Sequence, residues 1–280
     1  SLSGAERHST AWSVARINAL FKSLPAAHIQ CCDALQPGNV PMEDGQQRRF
    51  DVVVSHPPWS LREWRDETPD GDPFNRFRRG MPPRNNADYA YLLHMVSLMK
   101  ERTGRMAAVV SGGVLSRGGQ EGRIRLRLVA DNLVDIVIAL PEKMFENTSV
   151  AGAILVMRHS KKSNDVLFVD ARGLGDGARN KNAFPDAALN QIADICMARR
   201  VVPGLSAVVG PDHIAANGHS LSVPLYVRPG QENTAPAISD LLLRRAEVRE
   251  QLAEVDREIA ALLRAVACVP PQATPAFEPA

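Results

Sequence analysis

The sequence predicts an α/β fold built on a mainly parallel sheet with a late antiparallel strand. Three observations predict it. Short apolar, β-branched runs alternate with stretches of helical periodicity. The runs are apolar throughout rather than every second residue, as in strands covered on both faces. Residues 140–152 leave too little room for a helical crossover of a dozen or more residues plus turns, so the strands flanking them pair antiparallel.

Residues 10–24 predict an amphipathic helix. Trp12, Ala15, Ile17, Leu20, Phe21 and Leu24 recur at near-helical spacing, Pro25 follows, and Ser9 or Thr10 is the expected cap. A short apolar piece, residues 28–32, ends at Asp33. Residues 50–55 read as a buried parallel strand. It stops at His56-Pro57-Pro58-Trp59, where neither proline has an N–H for a ladder.

Residues 59–85, rich in Arg, Asp, Gly and Pro, form a long irregular segment, a kind usually functional or disordered inside compact domains. Residues 86–100 predict a helix with Tyr89, Leu92, Leu93, Val96 and Met99 on one face. Residues 106–110 predict a strand, and 121–131 a basic helix whose Arg123, Arg125 and Arg127 face solvent. Strands follow at 133–140, 152–157 and 166–169, then a helix over 186–199. A long helix begins at Ile238. Leu241, Val248, Leu252, Val255, Ile259, Leu262 and Val266 continue it in steps of three and four if Arg245 takes one seam position. The Pro/Ala-rich tail is expected to be disordered. The expected organisation is a core over 1–175, a helix-and-loop extension over 176–235, a coiled-coil-like helix over 236–268 and a tail over 269–280.

The chain has 280 residues, 45% of them hydrophobic, and a formal charge of +2. That supports one sizeable core, and so mild a basic excess neither requires nor excludes nucleic acid. No run of about 18 apolar residues exists, so no membrane span is expected, and no secretory leader is visible. Cys31, Cys32, Cys196 and Cys268 form no CxxC pair. They read as reduced thiols of a cytoplasmic protein with no metal site.

Ligands of open α/β sheets bind at the carboxyl ends of strands, the place of His56-Pro57-Pro58-Trp59. A stiff Pro-Pro turn fixes a backbone carbonyl outward with no competing N–H, and the aromatic offers a flat face. Together they suit an extruded base, its exocyclic amine donating to the carbonyl and its ring stacking on Trp59. The plain alternative is a strand terminator with a surface Trp.

Residues 50–60 resemble the segment FDVIVxNPPFS of amino-methyltransferases acting on adenine N6. Residues 82–90 resemble the PPxSNADYAF stretch of type I restriction-modification modification subunits. Residues 113–122 resemble their GVLFRGGxEG, 140–150 their LPxxLFxxTxIP and 217–227 their NxxNLxxxRYV. The ordered matches span nearly all of residues 1–227. The resemblance implies a Rossmann-like methyltransferase sheet, S-adenosylmethionine as cofactor, double-stranded DNA as substrate, and a DNA-specificity subunit held by the C-terminal helix. It implies that Glu6, ending a GxE segment, accepts from the cofactor's ribose hydroxyls. Asp33 meets the adenine amine of the cofactor, against the plain alternative of a strand-end turn. It makes His56, Pro57, Pro58 and Trp59 the catalytic segment. Arg62, Arg65, Arg78, Arg79 and Arg84 fit phosphate contacts, against the alternative of a solvated loop whose arginines are balanced by interleaved acids.

Two departures set further expectations. His56 stands where the family has Asn, and a neutral imidazole has one acceptor nitrogen, a protonated one none. The family's Gly-rich cofactor loop, DPxCGSG, and its first strand are not among the residues before Gly4. The sheet is therefore expected to lack its first strand, as a fragment of a longer protein or a degenerate product, and cofactor binding by these residues alone is in question. Exposed strand edges would favour a homodimer. Two functions stay open: a methyltransferase module, or an inactive relative retained for DNA binding or assembly.

Overall fold

The computed structural model describes residues 2–24, 27–64, 72–145, 148–175, 183–228 and 238–265. It divides into two units, residues 1–230 and residues 231–280.

The first unit opens with β1 (Ser3–Glu6), α1 (Ser9–Phe21) and β2 (His28–Cys31), a parallel pair with α1 as its crossover. Trp12, Ala15 and Ala19, at helical steps of three and four, face the pair, and the Trp12 indole donates to the Ile29 carbonyl at 2.8 Å. The rest of the expected apolar face is not buried: Ile17, Leu20 and Phe21 are exposed, Phe21 at 83%. No Ser or Thr side chain caps the helix. His8 holds the cap position, and Ser9 is already helical.

A two-residue hairpin, β3 (Met42–Glu43) and β4 (Gln46–Gln47), leads to β5 (Val52–Ser55). Then come α2 (Asp88–Leu98), β6 (Arg105–Ser111), α3 (Gly119–Ala130), β7 (Val134–Ala139), β8 (Gly152–Arg158), β9 (Val166–Asp170), α4 (Asp186–Ala198), β10 (Ser206–Val209) and α5 (Pro211–Ala216). The central sheet has the order β10-β9-β7-β8-β6-β5. The strands β5, β6, β7 and β9 run one way, and β8 and β10 run against them. The antiparallel β7–β8 pair forms where the connection was too short for a crossover.

One strand differs from its expectation. A continuous valine run predicts burial on both faces, yet Val52 and Val54 are 49% and 72% exposed. The physical reason is position: β5 ends the six-stranded sheet, and among the described residues nothing covers that face. The core lies farther along, where Tyr89, Leu92, Leu93 and Met99 of α2 and its end meet Met106, Leu155, Met157, Ile124 and Leu128. Each such apolar side chain contributes about 1.5–3 kcal/mol on burial.

Arg125 corrects the reading of α3. It is 2% exposed and donates to the carbonyls of Val114, Ser116, Arg117 and His219. It ties α3 to the 217–221 segment by satisfying carbonyls that would otherwise be buried without partners.

The second unit contains α6 (Ile238–Ala265), whose described side chains are all exposed. Val248, Leu252, Val255 and Ile259 form a bare stripe at steps of four, three and four. The expected disordered tail, residues 269–280, and Cys268 lie outside the described residues. No helix among the described residues is long and apolar enough to cross a membrane.

Candidate active site

The carboxyl end of β5 carries His56-Pro57-Pro58-Trp59. Pro57 is buried, Pro58 is exposed, and His56 keeps an exposed part while its ring packs on two neighbours. Three rings meet there. His56 lies 5.5 Å from Trp59 and 4.8 Å from Phe145, and Trp59 meets Phe145 edge-on at 5.3 Å. The Trp59 indole donates to the Val109 carbonyl of β6 at 3.2 Å, which fixes the ring. Gly152, at the start of β8, makes room: a Cβ there would sit 2.8 Å from Phe145 Cε2 and 3.1 Å from Trp59 Cη2. Burial lowers the His56 pKa below its usual 6.5, so the ring is neutral at neutral pH and keeps an acceptor nitrogen.

Beneath this wall lies a charged brace that joins three of the sequence motifs. The Asp88 carboxylate, 3% exposed in the first turn of α2, accepts from the Ser60 backbone N–H at 2.7 Å and from the Ser111 hydroxyl at 3.3 Å. Asn86 Oδ1 accepts from the Asp88 N–H at 2.9 Å. Arg117 bridges Asp88 and the buried Glu121. Burial pulls the Arg117 pKa down, but hydrogen bonds to Glu121 and Asp88 outweigh it and hold it above its ordinary value. The β6–β8 register sets Ser111 opposite Gly152, so brace and wall share one strand pair. Asp88, Arg117 and Phe145 lay in recognised motifs, but sequence gave them no role, because only folding brings them to Ser60, Trp59 and His56.

The second cluster lies at the ends of β1 and β2. Their register places Glu6 beside Cys31, and Cys32 N–H donates to the Glu6 carbonyl at 3.0 Å. Glu6 and Asp33 therefore end neighbouring parallel strands, the arrangement that carboxylates reaching one ligand require. Glu6 Oε1 accepts from His8 N–H and Asp33 Oδ1 from Leu35 N–H, which leaves each a second carboxylate oxygen free of a hydrogen bond among the described residues. Arg7 stands 3.7 Å from Asp33 Oδ2. Tyr91 of α2 joins them: its pKa is pushed up to about 12, by burial first and then by Asp33 and Glu6. Leu35, Leu61, Trp64, Ala87, Ala90 and Tyr91 share an apolar cluster, so the segment after Trp59 and the segment after Asp33 pack on the same helix.

The arginines divide. Arg62, Arg78 and Arg84 are exposed. Arg65 lies outside the described residues. Arg79 is 6% exposed with its Nε 2.7 Å from Asp131, so its charge holds the loop to the end of α3 and leaves the phosphate-contact set. The buried Arg76 likewise spends its donors on Asp72 and the Leu35 carbonyl. Sequence could not sort them, since burial depends on carboxylates and carbonyls far along the chain.

Known proteins resemble the chain on both counts, sequence and fold. It is 28% identical over 221 residues to the type I restriction enzyme MjaVII methylase subunit of Methanocaldococcus jannaschii, a match covering 75% of this chain and 38% of that protein. The MjaVIII methylase subunit of the same organism is 31% identical over 194 residues, covering 66% of this chain and 33% of that protein. Among solved structures, the type I restriction-modification methyltransferase subunit of Streptococcus thermophilus superposes with a TM-score of 0.74 at 30% identity, over 80% of this chain and 48% of that one. A modification subunit from Vibrio vulnificus, at 19% identity, 82% and 48% coverage and a TM-score of 0.62, shares the fold. The chain thus spans between a third and a half of the length of these relatives. The N-6 DNA Methylase family model matches residues 1–235, and the chain belongs to that family.

Proposed function

We propose that the chain is the catalytic core of an adenine-N6 DNA methyltransferase within a type I restriction-modification system. Its substrate is an adenine swung out of duplex DNA and its methyl donor is S-adenosylmethionine. The observation that carries this reading is the aromatic-walled strand end, His56-Pro57-Pro58-Trp59 against Phe145, braced through Ser60 by Asp88 and Arg117. The names of the relatives as methylase subunits support it.

Each residue has a part. Trp59 stacks on the extruded base. The neutral His56 nitrogen and a carbonyl of the Pro57-Pro58 turn accept from the amine, which aims its lone pair. Glu6 takes the ribose hydroxyls of the cofactor, and Asp33 its adenine amine. S-adenosylmethionine held in this way would supply the electrophilic methyl group, and the amine would give up one proton to water. The protein contributes mainly position, since no covalent enzyme intermediate is needed. Arg62, Arg78 and Arg84 contact DNA phosphates. The bare stripe of α6 docks on a DNA-specificity subunit, and a second copy covering the β5 edge gives a homodimer. The setting is the cytoplasm.

Calorimetric titration of S-adenosylmethionine tests the cofactor assignment. Glu6→Ala in the full-length protein is expected to weaken binding at least tenfold. Unchanged affinity would remove Glu6 from the site.

A further inference from the structure

At the amino edge of the sheet, opposite the site, the fold tolerates an arrangement that is unfavourable by itself. Arg105, which begins β6, and Arg158, which ends β8, are direct cross-strand partners. Like charges in that position destabilise a sheet. Two more cations stand beside them. Asp135, 3% exposed at the start of β7, forms an ion pair with Arg158, whose Nε stands 2.8 Å away, and accepts a hydrogen bond from Arg199 at 2.6 Å. Arg199 also donates to the Asp165 carbonyl, and Lys161 Nζ donates to the Val134 carbonyl at 2.5 Å.

The donors are therefore aimed but not used up. Arg158 is 45% exposed, and its ion pair with Asp135 leaves its guanidinium donors without a hydrogen-bond acceptor among the described residues. Lys161 spends one of three donors on Val134. Arg105 has no carboxylate within ion-pair distance among the described residues. Asp51, on which the Arg105 charge acts, is held by Lys100 at 2.9 Å. Lys161 reports the local field: its pKa is lowered to about 8 by burial first, and Arg199 and Arg158 lower it further against the pull of Asp135 and Asp165. A carboxylate that orients two guanidinium groups while leaving their outer edges open is a preorganised anion site, because the orienting cost is met before the ligand arrives.

We propose that Arg105, Arg158, Lys161 and Arg199, oriented by Asp135, form a phosphate-binding site whose ligand is the backbone of duplex DNA. Arg105 and Arg158 come from neighbouring strands about 4.8 Å apart, while Lys161 follows β8 and Arg199 ends α4, both brought to Arg158 through Asp135, so cations from three elements can meet a run of phosphates. This site lies on the face opposite Trp59 and goes beyond the proposed methyl transfer. It gives the molecule a second, sequence-independent hold on the duplex.

The test is the salt dependence of binding to a duplex with no methylation target. The full-length protein is compared with Lys161→Met, Arg105→Gln and the double variant, all checked for unchanged melting. Arg158 and Arg199 are left in place so that Asp135 stays paired. Each lost phosphate contact is expected to flatten the slope of log K against log salt by about 0.9, and the double variant by about twice that. Methyl transfer at saturating DNA stays unchanged, which separates this site from the catalytic one. Unaltered slopes with wild-type binding intact overturn the site and leave the methyltransferase reading standing. Two other results overturn the DNA assignment: inorganic phosphate binding with unaltered DNA slopes, or loss of binding to polyglutamate alone.

Discussion

The aromatic wall depends on one absent side chain. Gly152→Ala is expected to push Phe145 or Trp59 from its place, because a Cβ at 2.8 Å and 3.1 Å from the two rings cannot be accommodated in position. Overpacking of this kind costs about 1–3 kcal/mol. Chemical denaturation measures the loss, and the quenching environment of Trp59 should change with it. A variant as stable as the parent with unaltered Trp fluorescence would contradict the packing. His56 makes a second prediction at this scale. Only the neutral ring accepts from an amine, and burial lowers its pKa. Methyl transfer is therefore expected to hold through neutral pH and to fall as the pH drops through a value below 6.5. His56→Asn should flatten that acidic limb, and an unchanged limb would move the titration elsewhere. The Pro-Pro-Trp turn was legible in the sequence because prolines end a strand whatever surrounds them. The roles of Phe145, Asp88 and Arg117 were not, because each acts through a neighbour at least 28 residues away, as Asp88 does on Ser60.

Elements were legible where the residues themselves settle burial. The runs of β7, β8 and β9 are apolar and lie in the interior, so pattern and structure agree. The run of β5 has the same composition at an edge, and sequence cannot say which strand ends a sheet. For the homodimer proposed above, Val54→Lys in the full-length protein should lower the apparent mass in size-exclusion chromatography, and a mass that is unaffected would exclude this edge as the contact. Helix α2 holds a second hidden element, His94, 5% exposed, whose Nδ1 has no hydrogen-bond partner among the described residues. Burial, and then Arg76, lower its pKa from 6.5 to about 4. The unfolded chain binds a proton near pH 6.5 that the folded chain refuses until about pH 4. Its contribution to stability is whole above 6.5 and drains away as the pH falls toward 4, by up to about 3 kcal/mol. Urea denaturation from pH 7 to pH 4 measures this, and His94→Gln should lose most of that slope.

At the scale of the whole molecule, the fold class and family were legible because several motifs fall in one order. The partition of charge was not. A chain of formal charge +2 gives no hint that Arg105 and Arg158 face each other across two strands while Arg79 and Arg125 are consumed inside. Composition counts charges, and only topology places them. The helix α6 was legible as an element, since helical periodicity is local to its own residues. The central claim is that this core methylates adenine at N6. Its most direct measurement is mass analysis of nucleosides from duplex DNA incubated with S-adenosylmethionine and the full-length protein assembled with its specificity subunit. The account predicts N6-methyladenine, lowered about ten- to a hundredfold by Trp59→Ala through loss of one base stack. Methylated cytosine in its place, or unmodified DNA from an assembly that binds both cofactor and duplex, would contradict it.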